Sequence, residues 1–125
     1  PLTLTDLERM LRANYEALYQ YRFFYRELLA LLQRDPLLKA RYLEIRLRGY
    51  EGFAMLLTGF AQSGVLRPMD DPAEISQMAQ ICWILSDFYL PFVESGGAAV
   101  EPAHMNGGID LLRRFLQPYL MGENQ

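Results

Sequence analysis

The sequence contains one cysteine and one histidine among 125 residues, and each scarcity excludes a class of protein. Cys82 can form no internal disulfide, so the fold is not a disulfide scaffold. His104 alone cannot supply a catalytic triad, and the spacing of Glu101 and His104 has no second copy to complete a di-iron site. We therefore expect no catalytic residues, no metal site and no cofactor, which leaves a helical-bundle enzyme poorly supported.

Long apolar runs and an excess of positive charge are also missing. The longest apolar stretch, residues 81–93, is interrupted by Ser86 and Asp87 and is shorter than the roughly 20 apolar residues that span a bilayer. Fifteen acidic residues against 12 basic ones give a net charge of −3, which argues against a chain that grips a phosphate backbone by itself. The charged first turns are unlike a signal peptide. These absences predict a cytoplasmic protein that does not contact a membrane.

Helical periodicity is present along the whole sequence, and a hydrophobic content of 51% over 125 residues suffices for one domain with a buried core. Caps, prolines and glycines divide the pattern into five segments: from about residue 3 or 5 to 18, 21–34, 36–62, 72–93, and from 102 or 106 to about 120. Thr3 and Thr5 are alternative caps of the first segment, and Pro91 should kink or end the fourth. We expect an all-α bundle of five helices, with six as the alternative, forming a single domain over residues 1–125.

The fourth predicted helix has more apolar surface than one chain can cover. Its apolar side chains spread over an arc of about 200°, whereas an ordinary surface helix buries a stripe of about 100°. The surplus must face a second subunit, a ligand cavity or both. Paired with the fifth helix, it would form a four-helix bundle across a two-fold axis of a homodimer. The candidate interface residues are Met78, Cys82, Leu85, Tyr89, Ile109, Leu112 and Leu116.

Glycines and tyrosines near the third helix leave two interpretations open. Gly49, Gly52 and Gly59 each cost about 0.5–1 kcal/mol relative to alanine within a helix, so they either permit close helix packing or make room for a ligand. Six of the eight tyrosines precede residue 51, and a buried hydroxyl needs a partner. The aromatic residues either fill a core or line an apolar pocket for a small apolar or aromatic effector.

The candidate ligand-binding residues are Tyr15, Tyr19, Phe23, Tyr50, Phe53, Trp83 and Asp87. Asp87 is the acid most deeply embedded in apolar sequence. Its place on the polar sector of the fourth helix favours an exposed or paired carboxylate over a ligand contact.

Two stretches resemble the C-terminal domain of TetR-family transcriptional repressors. They are Tyr21-Arg-Phe-Phe-Tyr-Arg-Glu-Leu-Leu-Ala-Leu-Leu with the following Asp35-Pro36, and the turn Ser63-Gly-Val-Leu-Arg-Pro68 at the end of a long helix. The resemblance implies an all-helical domain that binds a small effector among its first three helices and the inner face of the fourth. It also implies a dimer through the last two helices.

The helix-turn-helix domain of that family is absent from this sequence, which begins at Pro1 and not at methionine. We therefore expect a DNA-binding segment upstream, and contact with operator DNA only through it. A helical protein–protein interaction or dimerisation module with no small-molecule effector is the alternative that the sequence leaves open.

Overall fold

The computed structural model describes residues 1–122, which form six α-helices and no strand. The helices are α1 (Leu4–Gln20), α2 (Arg22–Arg26), α3 (Leu28–Arg34), α4 (Pro36–Gln62), α5 (Pro72–Ser95) and α6 (His104–Leu116), and a 3₁₀ turn follows at Gln117–Tyr119. The all-α class is confirmed. Within the described residues, no helix combines the length and the apolar character needed to cross a bilayer.

Side-chain caps begin three of the helices. Thr3, and not Thr5, caps α1, because its hydroxyl accepts from the amide of Asp6 while the Asp6 carboxylate accepts from the amide of Thr3. Asp35 and Asp71 cap α4 and α5 through their carboxylates, and each precedes a proline at the start of its helix. These signals are local, so they fix where the helices begin.

The helix predicted over residues 21–34 is instead two short helices that meet at Glu27. Tyr21 and Glu27 leave the helical region, with ψ of 24° and 10° respectively, although no proline or glycine lies at either position. Helix α2 packs on α5, whereas α3 packs on α4. The chain turns at Glu27 because its two halves follow different partners, and such tertiary contacts leave no local signal in the sequence.

The later helices settle two further alternatives. Helix α6 begins at His104, the earlier of the two predicted starts. Helix α5 continues beyond Pro91 to Ser95, so the proline does not end it. Proline is tolerated here within the last turns, since only the carbonyl one turn earlier loses its amide donor.

The main core lies where α1, α4, α5 and α6 meet. Its largest fully buried side chains are Tyr15, Phe60, Leu66, Ile109 and Leu112. The loop after α4 is tied to the C-terminal segment by two backbone hydrogen bonds, from the Arg67 amide to the Tyr119 carbonyl at 2.7 Å and from the Met121 amide to the Val65 carbonyl at 3.0 Å. This short connection closes one end of the bundle and holds Leu66 inside it.

Candidate functional site

A cavity of about 510 Å³ lies between α1 and α4. Five residues of α1 line it: Leu7, Met10, Leu11, Ala13 and Asn14. Six residues of α4 form the opposite wall: Gly49, Gly52, Phe53, Leu56, Leu57 and Phe60. Cys82 of α5 and Leu116 of α6 complete the lining. The volume is within the range of about 300–1,000 Å³ that is usual for small-molecule sites.

The lining is almost wholly apolar. Among its thirteen described residues, Asn14 has the one side chain with a strong hydrogen-bonding group, and none carries a formal charge. Burial raises the pKa of the Cys82 thiol to about 12, so the thiol is neutral near pH 7. An ion in such a site would lose its hydration without gaining a charged partner. The cavity is therefore suited to an uncharged, mainly hydrophobic molecule.

Asn14 links the cavity wall to α5 through a short chain of hydrogen bonds. Its Nδ2 atom donates to the Ser86 hydroxyl at 2.8 Å, and that hydroxyl donates to the Cys82 carbonyl at 2.7 Å. Ser86 is buried, so this chain is protected from water on the α5 side. The amide of Asn14 is thereby held in one orientation at the wall.

Gly49 and Gly52 of α4 cannot be told apart by the sequence pattern, but their surroundings in the structure differ. A Cβ atom at Gly49 would lie 1.8 Å from Cζ3 of Trp83, so this glycine permits close packing of α5 on α4. A Cβ atom at Gly52 would meet no other atom within 4 Å, although the residue lines the cavity. Close packing therefore explains Gly49, whereas Gly52 borders open space, and its role beside a ligand stays a prediction.

Of the seven predicted ligand-binding residues, Phe53 lines the cavity and the other six are not among its lining residues. Tyr15 is fully buried between helices, and its hydroxyl donates to the Leu85 carbonyl at 2.9 Å. The Tyr50 hydroxyl accepts from Nε of Arg46 at 2.7 Å. Both hydroxyls have a partner within the protein, so neither requires a ligand, and a ligand-binding role for Tyr15 and Tyr50 stays a prediction.

The aromatic side chains at the start of α2 lie at the surface. Phe23 is 56% exposed, and the guanidinium of Arg22 lies over both its ring and that of Tyr19, at 4.6 Å and 4.2 Å from the ring centroids. Such cation–π contacts stabilise an exposed turn by about 0.5–1 kcal/mol. Tyr19 and Phe23 therefore form part of the α1–α2 junction and are remote from the cavity lining.

Trp83 and Asp87 belong to a second, smaller core that we call the Trp83 cluster, whose buried members are Leu28, Tyr42 and Trp83. Asp87 is 2% exposed and accepts a hydrogen bond from the Tyr42 hydroxyl. Burial raises the pKa of Asp87 to about 6, against smaller lowering effects of the Tyr42 hydrogen bond and the Arg46 charge. The carboxylate is thus paired within the protein, and the polar sector of α5 is not wholly solvated.

The seven predicted interface residues require a correction. Five of them, Met78, Cys82, Ile109, Leu112 and Leu116, are buried in the core of the chain itself. Leu85 and Tyr89 are half-buried, and the Tyr89 ring packs edge-on against Tyr15 at 5.8 Å between centroids. Side chains without exposed surface cannot form the face that meets a second chain. Five of the seven residues therefore lie on the inward faces of α5 and α6, whereas Leu85 and Tyr89 keep exposed surface and stay predicted interface residues.

Exposed apolar side chains lie on the outward part of the same helices. They are Ile81, Ile84, Phe88 and Phe92 on α5 and Leu111 on α6. The four on α5 recur at spacings of three and four residues and so share one stripe. We call these five residues the outer stripe.

The sequence analysis did not identify the α1 wall of the cavity. The available signal was Asn14, which lies seven residues after Leu7 and so falls on the apolar face of α1. A lone amide on an apolar face requires either a buried partner or a ligand. Residues 1–122 contain no group of three or more His, Cys, Asp or Glu side chains placed to hold a metal ion.

Comparison with known proteins finds similarity in both sequence and fold. Residues 1–125 match the family model described as TetR, a bacterial transcriptional repressor. The fold superposes on the crystal structure of a TetR-family transcriptional regulator from Marinobacter aquaeolei VT8 with a TM-score of 0.86 and 27% sequence identity. That match covers 98% of this chain and 58% of the other, so this chain spans little more than half the length of that regulator. No protein with a curated description matches the sequence.

Proposed function

The chain belongs to the TetR family of bacterial transcriptional repressors, and from that premise we propose that it is the effector-sensing and dimerisation part of a regulator. Proteins of this family are regulators and not enzymes. The observation that carries the sensing role is the apolar cavity between α1 and α4. In this proposal a small effector occupies the cavity and changes the operator affinity of a DNA-binding segment outside these residues. Because its target is then chromosomal DNA, the regulator acts in the cytoplasm.

The position of the cavity suggests how a bound ligand could affect the DNA-binding segment. Helix α1 is one wall, and its N-terminal end is held to the end of α4 by a hydrogen bond from the Leu2 amide to Ser63 Oγ at 3.1 Å. An effector shifts a conformational equilibrium only by its differential affinity for the two states. A ligand that prefers a wider spacing of α1 and α4 moves α1, and with it whatever precedes Leu4 in the intact protein.

The outer stripe supports the proposed homodimer. It provides one apolar face on α5 and an exposed Leu111 on α6, and isolated monomers rarely expose a large apolar patch. In an isologous dimer the two copies of this face would meet across a two-fold axis, which makes a four-helix bundle from α5 and α6 of both chains. Two DNA-binding segments would then be held about 34–36 Å apart, the spacing of successive major grooves.

Operator affinity of the full-length protein tests the sensing role. We expect at least one compound from a library of apolar metabolites to change the operator Kd of the wild type. Gly52→Leu fills open space in the cavity, so this variant should bind operator but no longer respond. Met55→Leu is the matched control, because Met55 lies on α4 outside the lining and is 75% exposed.

The same experiment has an outcome that overturns the sensing role. If no compound changes operator affinity, or if Gly52→Leu responds like the wild type, the effector-sensing proposal fails. The alternative, a helical interaction module without an effector, would then be the better interpretation of the fold.

A further inference from the structure

The hydrogen-bond chain behind Asn14 determines which polar atom the cavity offers to a ligand. A serine hydroxyl has a single proton, and Ser86 donates it to the Cys82 carbonyl at 2.7 Å. The oxygen of Ser86 can therefore only accept from Asn14, so the contacting atom of the amide is Nδ2 and not Oδ1. The rest of the amide, its Oδ1 acceptor and the second N–H of Nδ2, remains available to a ligand, since Asn14 is one of the lining residues.

These remaining groups have no partner in the described part of the chain. The hydrogen bond to Ser86 is the one that Asn14 makes through its side chain within residues 1–122. A ligand that covers Asn14 with hydrocarbon alone would leave a carbonyl oxygen buried without a donor, which is costly. A hydroxyl group can pair with both free groups of the amide, because it donates to Oδ1 and can accept from the second N–H.

We propose that the effector of this cavity is a neutral alcohol or phenol: a largely hydrocarbon molecule whose single hydroxyl group binds the side-chain amide of Asn14. The inference rests on the proposed sensing function and narrows its ligand to one chemical class. The apolar remainder of the molecule lies along Phe53 and fills the open space beside Gly52.

The absence of charged side chains from the lining argues against a carboxylate or an ammonium compound as the ligand. A carboxylate or an ammonium group at Asn14 would find no charged side chain among the lining residues. Entry is available to a neutral molecule, since Ala13 on α1 and Leu56 on α4 belong to the lining and are both exposed at the surface. A hydrocarbon can pass between the two helices there without opening the core.

Calorimetric titration of the chain with four linear probes of similar chain length tests the class: 1-decanol, decyl methyl ether, decanoate and decylammonium. We expect 1-decanol to bind about tenfold more tightly than the ether, which has an acceptor but no donor for Oδ1. Decanoate and decylammonium should bind at least about a hundredfold more weakly than 1-decanol. Asn14→Leu should remove the roughly tenfold preference for 1-decanol over the ether, because it removes the Oδ1 acceptor that only the alcohol can use.

Two controls separate the ligand class from the existence of the site. Gly52→Leu should abolish binding of 1-decanol and the ether alike, and Met55→Leu should bind both as the wild type does. The ratio of the 1-decanol and ether affinities in the wild type tests the hydroxyl even if Asn14→Leu does not fold.

The outcomes that contradict the proposal are distinct. Equal affinity for 1-decanol and the ether in the wild type would overturn the hydroxyl contact. Equal or tighter binding of either ion would overturn the neutral class, and in both cases sensitivity to Gly52→Leu would leave the sensing function standing. If no probe binds, or if binding survives Gly52→Leu, the ligand class and the sensing function fail together.

Discussion

The Asp87 carboxylate is an acid placed in the Trp83 cluster, with the Tyr42 hydroxyl as its hydrogen-bond donor. Burial raises its pKa from 3.8 to about 6. The folded state therefore holds a proton that the unfolded state releases between about pH 4 and pH 6. Where the folded state binds more protons, stability falls as the pH rises, so this group destabilises the fold progressively through that window and by a constant amount above it.

Asp87→Asn removes this contribution while keeping an oxygen that accepts from Tyr42. We expect the free energy of unfolding of the variant, minus that of the wild type, to increase by about 2 kcal/mol between pH 4 and pH 7, since one pKa unit corresponds to about 1.4 kcal/mol. Urea titrations of both proteins at several pH values measure the difference. Asp70→Asn, at an exposed position, is the control and should show none of this increase. A difference that does not change with pH for Asp87→Asn would contradict the prediction.

The two glycines of α4 predict opposite effects of the same substitution. Gly49→Ala places a methyl group against the Trp83 ring and should destabilise the protein by about 1–3 kcal/mol, the usual cost of overpacking. Gly52→Ala meets open space and should stabilise it by up to about 1 kcal/mol, because alanine is the better helix former. Denaturant midpoints of the two variants measure both effects. A stabilising shift for Gly49→Ala would show that the close contact with Trp83 is not maintained in solution, and a destabilising shift for Gly52→Ala would contradict the open space beside Gly52.

At the scale of the element, the bounds that could be predicted were those with local causes. The caps at Asp35 and Asp71 and the prolines after them gave the correct starts of α4 and α5. The division of residues 21–34 at Glu27 could not be predicted, because it arises from packing against two different helices. Periodicity reports that a helix has an apolar face, and it does not report which helix covers that face.

The start of α1 offers a direct test of capping. Thr3→Ala removes the hydroxyl that accepts from the Asp6 amide and should lower the free energy of unfolding by about 1 kcal/mol. Thr5→Ala, the alternative cap in the sequence, should change it by less than about 0.5 kcal/mol, as for an ordinary surface position. Thermal unfolding measures the stability of both variants. An equal loss of stability in the two would show that Thr3 is not the cap.

The candidate site shows a further limit of sequence patterns. Helix α5 is apolar over so wide an arc that its inward and outward parts have similar composition, and only the fold separates Cys82, in the core, from Ile84, at the surface. Likewise a buried tyrosine hydroxyl was expected to need a partner, and the sequence could not show that a backbone carbonyl supplies it for Tyr15 and an arginine side chain for Tyr50. Long-range contacts make these distinctions, and hydrophobicity alone does not contain them.

At the scale of the whole molecule, the outer stripe predicts how a single charge changes assembly. We expect the wild type to be a dimer, and Ile84 is 54% exposed, so Ile84→Arg should give a folded monomer instead. Leu112 is 0% exposed, so Leu112→Arg should unfold the chain by burying an unpaired charge. Sedimentation at micromolar concentration gives the assembly state, and circular dichroism gives the helix content. A wild type that is monomeric, or an Ile84→Arg variant that still dimerises, would rule out the outer stripe as the interface.

Trp83 is the one tryptophan in the sequence, and its ring rests on Gly49, a residue of the cavity wall that has no side chain to separate them. The indole is therefore an intrinsic fluorophore placed directly behind the proposed ligand site. Any movement of α4 that accompanies occupancy changes the packing of that ring and hence its emission. We expect the fluorescence emission of Trp83, excited selectively, to change during ligand titrations without an added label. The emission of Gly52→Leu should not change.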